Sequence, residues 1–212
     1  MNYVKKYILV CICSFSAGLS AQNIADIFLQ IPDDMLPFIT REQRQELIDN
    51  AQNKRETTVQ NRLNGASSIH KLTPDYLLLQ AASASLLELK LLPVNEYYSI
   101  VTLIRTRCAP ACDSEIQFFT TEWKPLKNNY FTFPPFSMFF SNDSCQDTMN
   151  SLDMHLVKLS LHENATIVSA SLSIKEYLNK DEYSSLPCKP DTINYRWENN
   201  KFNIQNTNLH EL

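Results

Sequence analysis

The chain has 212 residues, 44% of them hydrophobic and 20% charged, with a formal net charge of −4. That balance supports a packed core and is too polar for a membrane bundle. Only two glycines occur, Gly18 and Gly65, which excludes P-loops, dinucleotide-binding turns and nucleophile elbows, since each needs clustered glycines where a Cβ would clash.

Residues 1–21 read as a signal peptide. Lys5 and Lys6 form a positive n-region, Tyr7 to Ser16 an apolar run, and Ser16 to Ala21 a small-residue exit, with cleavage between Ala21 and Gln22. The apolar run is too short to span a hydrocarbon core of ~30 Å. The expected product is exported, to the periplasm or the outer envelope, with no membrane span after the leader is removed. It keeps 191 residues, with 17 basic side chains against 23 acidic ones and a net charge of −6. No basic stripe remains, so nucleic acid and anionic membrane surfaces are set aside as partners.

Residues 24–53 read as helical. Ile24, Ile27, Phe28 and Ile31 keep helical spacing up to Pro32, and Thr40 followed by Gln43 is a capping box. From Thr57 the hydrophobic period changes to two. Thr57–Leu63 and Ala66–Leu72 flank Asn64-Gly65, the dipeptide expected in a type I′ hairpin turn. Tyr76–Leu92 reads as two strands broken near Ala84-Ser85, because alternation outranks the helical propensity of Leu and Ala. Tyr97–Thr106 and Glu115–Glu122 read as a strand pair closed by Trp123-Lys124-Pro125. Breakers then crowd 127–151, with a short helix expected near Asp147–Leu152. Strands return at Leu152–Leu161, Thr166–Ile174, Thr192–Trp197 and Lys201–Ile204, with a loop and one helical turn over Tyr177–Pro190.

These elements define an α+β protein, with N-terminal helices followed by a mostly antiparallel β-meander. The expected organisation is a helix-plus-meander half, 22–126, and a second β half, 127–212. The two would be helix-plus-four-strand halves sharing a curved sheet within one compact unit.

Four cysteines follow the leader: Cys108, Cys112, Cys145 and Cys188. An even set in an exported chain points to disulfides, with three possible pairings. Cys108–Cys112 with Cys145–Cys188 is favoured, because Ala109-Pro110-Ala111 forms a turn between two strands. Zinc is disfavoured, since there is no C-x-x-C pair and no His at ligand spacing. His162-Glu163 opens like a metalloprotease motif, but Thr166 stands where the second His belongs. No metal and no cofactor are expected. Asp33-Asp34 is the most conspicuous carboxylate pair, yet adjacent side chains diverge and acids after a proline suit a turn.

Six aromatics fall within 130–140, among them Tyr130, Phe131 and Phe133. With Trp123 they form the best candidate interaction surface, because rigid aromatic faces bind proteins and sugars. Packing of a seam between the two halves is the competing role. Asp147-Thr148-Met149 and Asp191-Thr192-Ile193 fit a D-[ST]-hydrophobic O-glycosylation pattern at Thr148 and Thr192.

A larger resemblance runs through the first half. It rests on Pro32-Asp33-Asp34-Met35-Leu36-Pro37, Leu47-Ile48-Asp49, Asn61 to Gly65 and Leu72-Thr73-Pro74-Asp75-Tyr76. Leu91-Leu92-Pro93, Thr106, Asp113-Ser114 and Trp123-Lys124-Pro125-Leu126 continue it. In this order they resemble a family of exported Bacteroidales proteins known as a domain of unknown function, number 3256. The resemblance implies an exported protein and no activity or site residues. The cysteines around the Ala-Pro-Ala turn depart from the family's usual pattern, so the disulfide assignment rests on the residues alone.

Two functions fit. The first is a non-catalytic periplasmic or cell-envelope binding module, with an envelope protein or a glycan as partner. The second is a small secreted hydrolase on peptides or glycans with an unmarked active site.

Overall fold

The structure, a computed structural model, describes residues 23–55, 58–62, 64–140 and 145–205. The expected leader and its expected Ala21–Gln22 cleavage point lie outside the described residues.

Two N-terminal helices open the fold, α1 over Ile24–Leu29 and α2 over Arg41–Gln52. Asn23 caps α1 by accepting from the Ala25 amide. The capping box of α2 is formed, with the Gln43 amide donating to Thr40 Oγ1 and the Thr40 amide to Gln43 Oε1. Six strands follow: β1 (Val59–Gln60), β2 (Ala66–Leu72), β3 (Tyr76–Ala82), β4 (Ser85–Pro93), β5 (Ser99–Cys108) and β6 (Cys112–Phe119). They pair antiparallel in chain order. After a 3-10 turn at Phe136–Phe139 and α3 (Gln146–Ser151) comes a second sheet. It contains β7 (Val157–Leu161), β8 (Ile167–Leu172), β9 (Ile193–Glu198) and β10 (Lys201–Ile204), with α4 (Lys180–Ser185) between β8 and β9. Its order is β10-β9-β8-β7, also antiparallel.

The α+β class with antiparallel strands therefore holds. The meander differs in one respect: it forms two sheets of six and four strands where one shared curved sheet was expected. Helices cover one face of the larger sheet, where Leu77, Leu79, Leu87, Leu89, Val101 and Leu103 meet Ile24, Phe28 and Leu47. The smaller sheet covers the other face, where Tyr76, Leu92, Ile100 and Ile104 meet Leu159, Val168, Ala170 and Tyr195. Each buried aliphatic side chain contributes on the order of 2 kcal/mol.

Burial on both faces alters the meaning of the Leu-Glu-Leu-Lys-Leu alternation. Glu88 and Lys90 are only 4% and 1% exposed, and both lie in the layer between the sheets. Glu88 Oε2 accepts from the Tyr76 hydroxyl at 3.0 Å and from the Leu161 amide at 2.9 Å. Lys90 pairs with Asp75 at 2.9 Å and donates to the Glu163 carbonyl at 2.7 Å.

The turns also show how so few glycines suffice. β9 and β10 are joined by Asn199-Asn200, both at positive φ (54° and 58°), as a two-residue primed turn requires. The β1–β2 hairpin does not use the expected type I′ turn. Asn64 takes positive φ but Gly65 does not. Asn61 organises the loop instead, because its Oδ1 accepts from the Gly65 amide while its amide donates to the Gly65 carbonyl. Its Nδ2 donates to Ser67 Oγ and the Ala81 carbonyl. β1 is accordingly two residues long, shorter than the expected Thr57–Leu63 strand.

Both disulfides take the favoured pairing, Cys108–Cys112 across the β5–β6 turn and Cys145–Cys188 between α3 and the segment after α4.

Two predictions follow from these features. Replacing Cys145 and Cys188 together by Ser lowers unfolding free energy by about 4 kcal/mol, and replacing Cys108 and Cys112 by about 2 kcal/mol, because closure entropy grows with loop length. Guanidinium unfolding of the two double variants ranks them, and an equal loss refutes the chain-entropy account. Burial raises the Glu88 carboxyl above its ordinary value of 4.5. The stability tied to it is full below that value and is lost as pH rises through the raised one. Glu88→Gln keeps both accepted bonds and carries no charge, so it melts higher than the parent at neutral pH and equally at pH ~4. Parallel melting curves across that range would sink this assignment.

Candidate functional site

β6 is the last strand of the larger sheet, so one of its edges faces away from β5. The register fixes which groups lie there. Val101, Leu103 and Arg105 stand opposite Phe119, Gln117 and Glu115, while the Cys108 amide turns the other way to the Ala84 carbonyl. Odd residues of β6 therefore bond β5, and the N–H and C=O of Ser114, Ile116 and Phe118 point outward.

The chain then doubles back on this edge. Trp123 sits at φ 62° in a turn where the Thr120 amide donates to the Lys124 carbonyl. Pro125 bridges Phe119, and the Leu126 amide donates to the Phe118 carbonyl at 2.9 Å. Further on, the Tyr130 carbonyl accepts from the Phe202 amide of β10 at 2.9 Å. The segment 123–131 is thus a strap from the edge of one sheet to the edge of the other. Among the described residues the Ile116 N–H and C=O have no backbone partner.

Beside Ile116 lies a cleft of about 380 Å³ lined by Ile116, Phe118, Leu126, Tyr130, Phe131 and Phe133. The Tyr130 ring packs 5.1 Å from Phe118 and 5.7 Å from Trp197. Phe131 packs 4.8 Å from Tyr195 and meets Phe133 edge-on at 5.2 Å. Tyr130 and Phe131 are half-buried at the sheet–sheet seam, whereas Phe133 is 45% exposed. Burial pushes the Tyr195 hydroxyl up to about 12. Burial also raises Tyr98, beside Tyr130.

Trp123 does not join this cleft. It is 6% exposed, packs tilted against Phe119 and donates its indole N–H to the Ile27 carbonyl at 2.9 Å. Its place is the core under α1. The open edge at Ile116 is the feature that residue-type reasoning missed. Nothing in the sequence marks which strand is last in a sheet.

The other candidates separate. Asp33 pairs with buried Arg44 at 2.9 Å, and Asp34 lies elsewhere, on a cavity rim. Thr148 is buried and accepts from the Cys188 amide, so it offers no accessible hydroxyl, whereas Thr192 is exposed. His162 lies 2.7 Å from Ser169 Oγ. Ser169 donates to Asn194 Oδ1 at 2.6 Å and accepts from the imidazole, the reverse of what a general base needs. Among the described residues no three His, Cys, Asp or Glu side chains are placed to hold a metal, and no helix is long and apolar enough to cross a membrane.

Helices on one face of a six-stranded antiparallel sheet, with a four-stranded sheet strapped to the other, define the class of protein. The chain belongs to the family described as protein of unknown function (DUF3256), whose model matches residues 16–202. It is similar to a solved domain of an uncharacterized protein from Porphyromonas gingivalis W83, with TM-score 0.71 and 25% sequence identity. The match covers 86% of this chain and 98% of that one. No curated protein matches.

Trp123→Ala should cost about 4 kcal/mol, since it removes a buried ring and one of the hydrogen bonds to the Ile27 carbonyl, which the Gln30 amide also serves. Phe133→Ala should change stability by no more than about 0.5 kcal/mol. Urea unfolding of both variants separates core from surface, and comparable losses would contradict this placement.

Proposed function

We propose that this protein is a non-catalytic, extracytoplasmic binding module that takes an extended apolar segment of an envelope protein onto the open edge of β6. The observation that carries this reading is the pair of outward-facing backbone groups of Ile116 beside an aromatic cleft. An extended peptide gains main-chain hydrogen bonds from such an edge and places alternate side chains in such a cleft. Phe outnumbers Tyr in the cleft lining, which favours apolar side chains over sugars, whose hydroxyls want polar partners. The two disulfides and the likeness to a Porphyromonas gingivalis domain support an extracytoplasmic location.

A displayed library of random linear peptides tests the reading. Selected peptides should alternate apolar residues and slow hydrogen exchange at the Ile116 amide. They should bind Phe133→Ala about tenfold more weakly. Peptides that bind without protecting Ile116, or a library that yields none, would overturn it.

A further inference from the structure

A second cavity lies on the opposite, helix-side face of the larger sheet. α1 and α2 pack over β2, β3 and β4 and leave the turn-proximal half of β5 and β6 bare of helix. The loop between the helices walls this bare area, and together they enclose about 550 Å³. The side chains change character along each strand. Leu103 and Val101 lie buried under the helices, and Arg105 follows on the same face. Leu87 and Phe119 form apolar parts of the lining, with Met35 and Pro37 contributed by the loop.

Arg105 is the unusual member. Buried Arg44 pairs with Asp33, and buried Lys90 pairs with Asp75, both at 2.9 Å. Half-buried Arg105 has no carboxylate within ion-pairing distance among the described residues. Its guanidinium donates to Gln117 Oε1 at 2.7 Å and to the Met35 carbonyl at 3.3 Å. These bonds use two of the five N–H donors a guanidinium carries. They also hold the fork in place, and leave three donors without a protein acceptor among the described residues. Burial disfavours its charge, and Glu115, directly across from it on β6 but outside ion-pairing distance, only partly restores it. A partly desolvated cation fixed in a cavity of mixed polar and apolar lining is completed by an anion.

We propose that this cavity binds a carboxylate carried on an apolar body, with Arg105 as its anchor. The volume suits a small molecule or the last residues of a peptide. Both sources present the same chemistry: one carboxylate for the guanidinium fork and apolar surface for Leu87, Phe119 and Met35. Exposed Asp34 and Glu115 on the rim disfavour ligands with several negative charges, and exposed Arg107 adds attraction. The linings of this cavity and of the aromatic cleft share Gln117 and Phe119, but their anchors differ, Arg105 here and the Ile116 backbone there.

The test is calorimetric titration of the intact mature chain with two matched pairs. One pair is octanoate and octanamide. The other is acetyl-Ala-Ala-Leu with a free or an amidated C-terminus. An acid should bind at least about tenfold tighter than its amide, as expected for loss of a charge-assisted bond. Arg105→Gln should lose about as much, and Glu115→Gln should strengthen binding, because it removes a competing negative charge. Preference for octanoate identifies a free small acid, and preference for the peptide identifies a protein C-terminus; each supports the site. Equal binding of acid and amide, undiminished binding to Arg105→Gln, or no binding of either acid overturns it. If Arg105→Gln fails to fold, the acid–amide comparison and the exposed Glu115→Gln variant still decide. Phe133→Ala should leave these titrations unchanged, so this site and the β6 edge fail separately.

Discussion

The edge of β7 governs how the two sheets meet. Its Val157, Leu159 and Leu161 amides point away from β8 and would be unpaired donors within the fold. They are received by side chains of the larger sheet: Asp113 Oδ1 at 3.3 Å, Ser114 Oγ at 3.0 Å and Glu88 Oε2 at 2.9 Å. An unpaired buried amide costs roughly 1–3 kcal/mol, so apolar residues in place of buried Ser114 and Glu88 would forfeit more than they gained, while Asp113 serves Val157 at the exposed end of the line. This requirement explains acceptors inside the hydrophobic layer. Further polar groups serve the acceptors in turn. Tyr76 hydrogen-bonds Glu88, and the Thr106 hydroxyl lies 2.8 Å from Ser114 Oγ. The layer is therefore apolar around its margins and hydrogen-bonded along the line where β7 crosses.

Two further edges, those of β6 and β10, are managed by the strap. It caps the end of β6 through Leu126 and the edge of β10 through Tyr130, so one segment protects two sheets. Between its two attachments the edge at Ile116 stays open. Strand β6 consequently serves two cavities. Its Ile116 and Phe118 side chains line the aromatic cleft, while Glu115 lines the Arg105 cavity on the opposite face. A side-chain period of two makes one strand the common wall of both.

Much of this was legible in the sequence, for reasons that differ by element. The capping box at Thr40 and Gln43 is a local chemical signature, and it appears as read. The Leu-rich 76–92 run forms two strands because its alternation matches the pleat, despite helical propensity. The disulfide partners followed from turn position and the expectation of an oxidising compartment. What stayed hidden was tertiary. The alternation of Glu88 and Lys90 with leucines is the pattern of a half-wet strand. Only the second sheet, distant in sequence, makes that face interior. Trp123 and Phe133 are both aromatics near prolines, yet one fills the core and the other faces solvent. Residue type does not distinguish them; the positive φ at Trp123 does. Asn64-Gly65 marked a hairpin correctly and its turn type wrongly, because Asn61 supplies from its side chain what the backbone turn would have supplied.

The order of the bridges along the chain has its own consequence. Downstream of residue 22 the cysteines pair first with second and third with fourth, without nesting or interleaving. For a chain entering an oxidising space from its N-terminus, each cysteine's correct partner is the next one to emerge. An oxidant that joins thiols in order of appearance therefore makes the native set directly. The cysteine pattern is suited to maturation by simple oxidation, with no step of disulfide reshuffling.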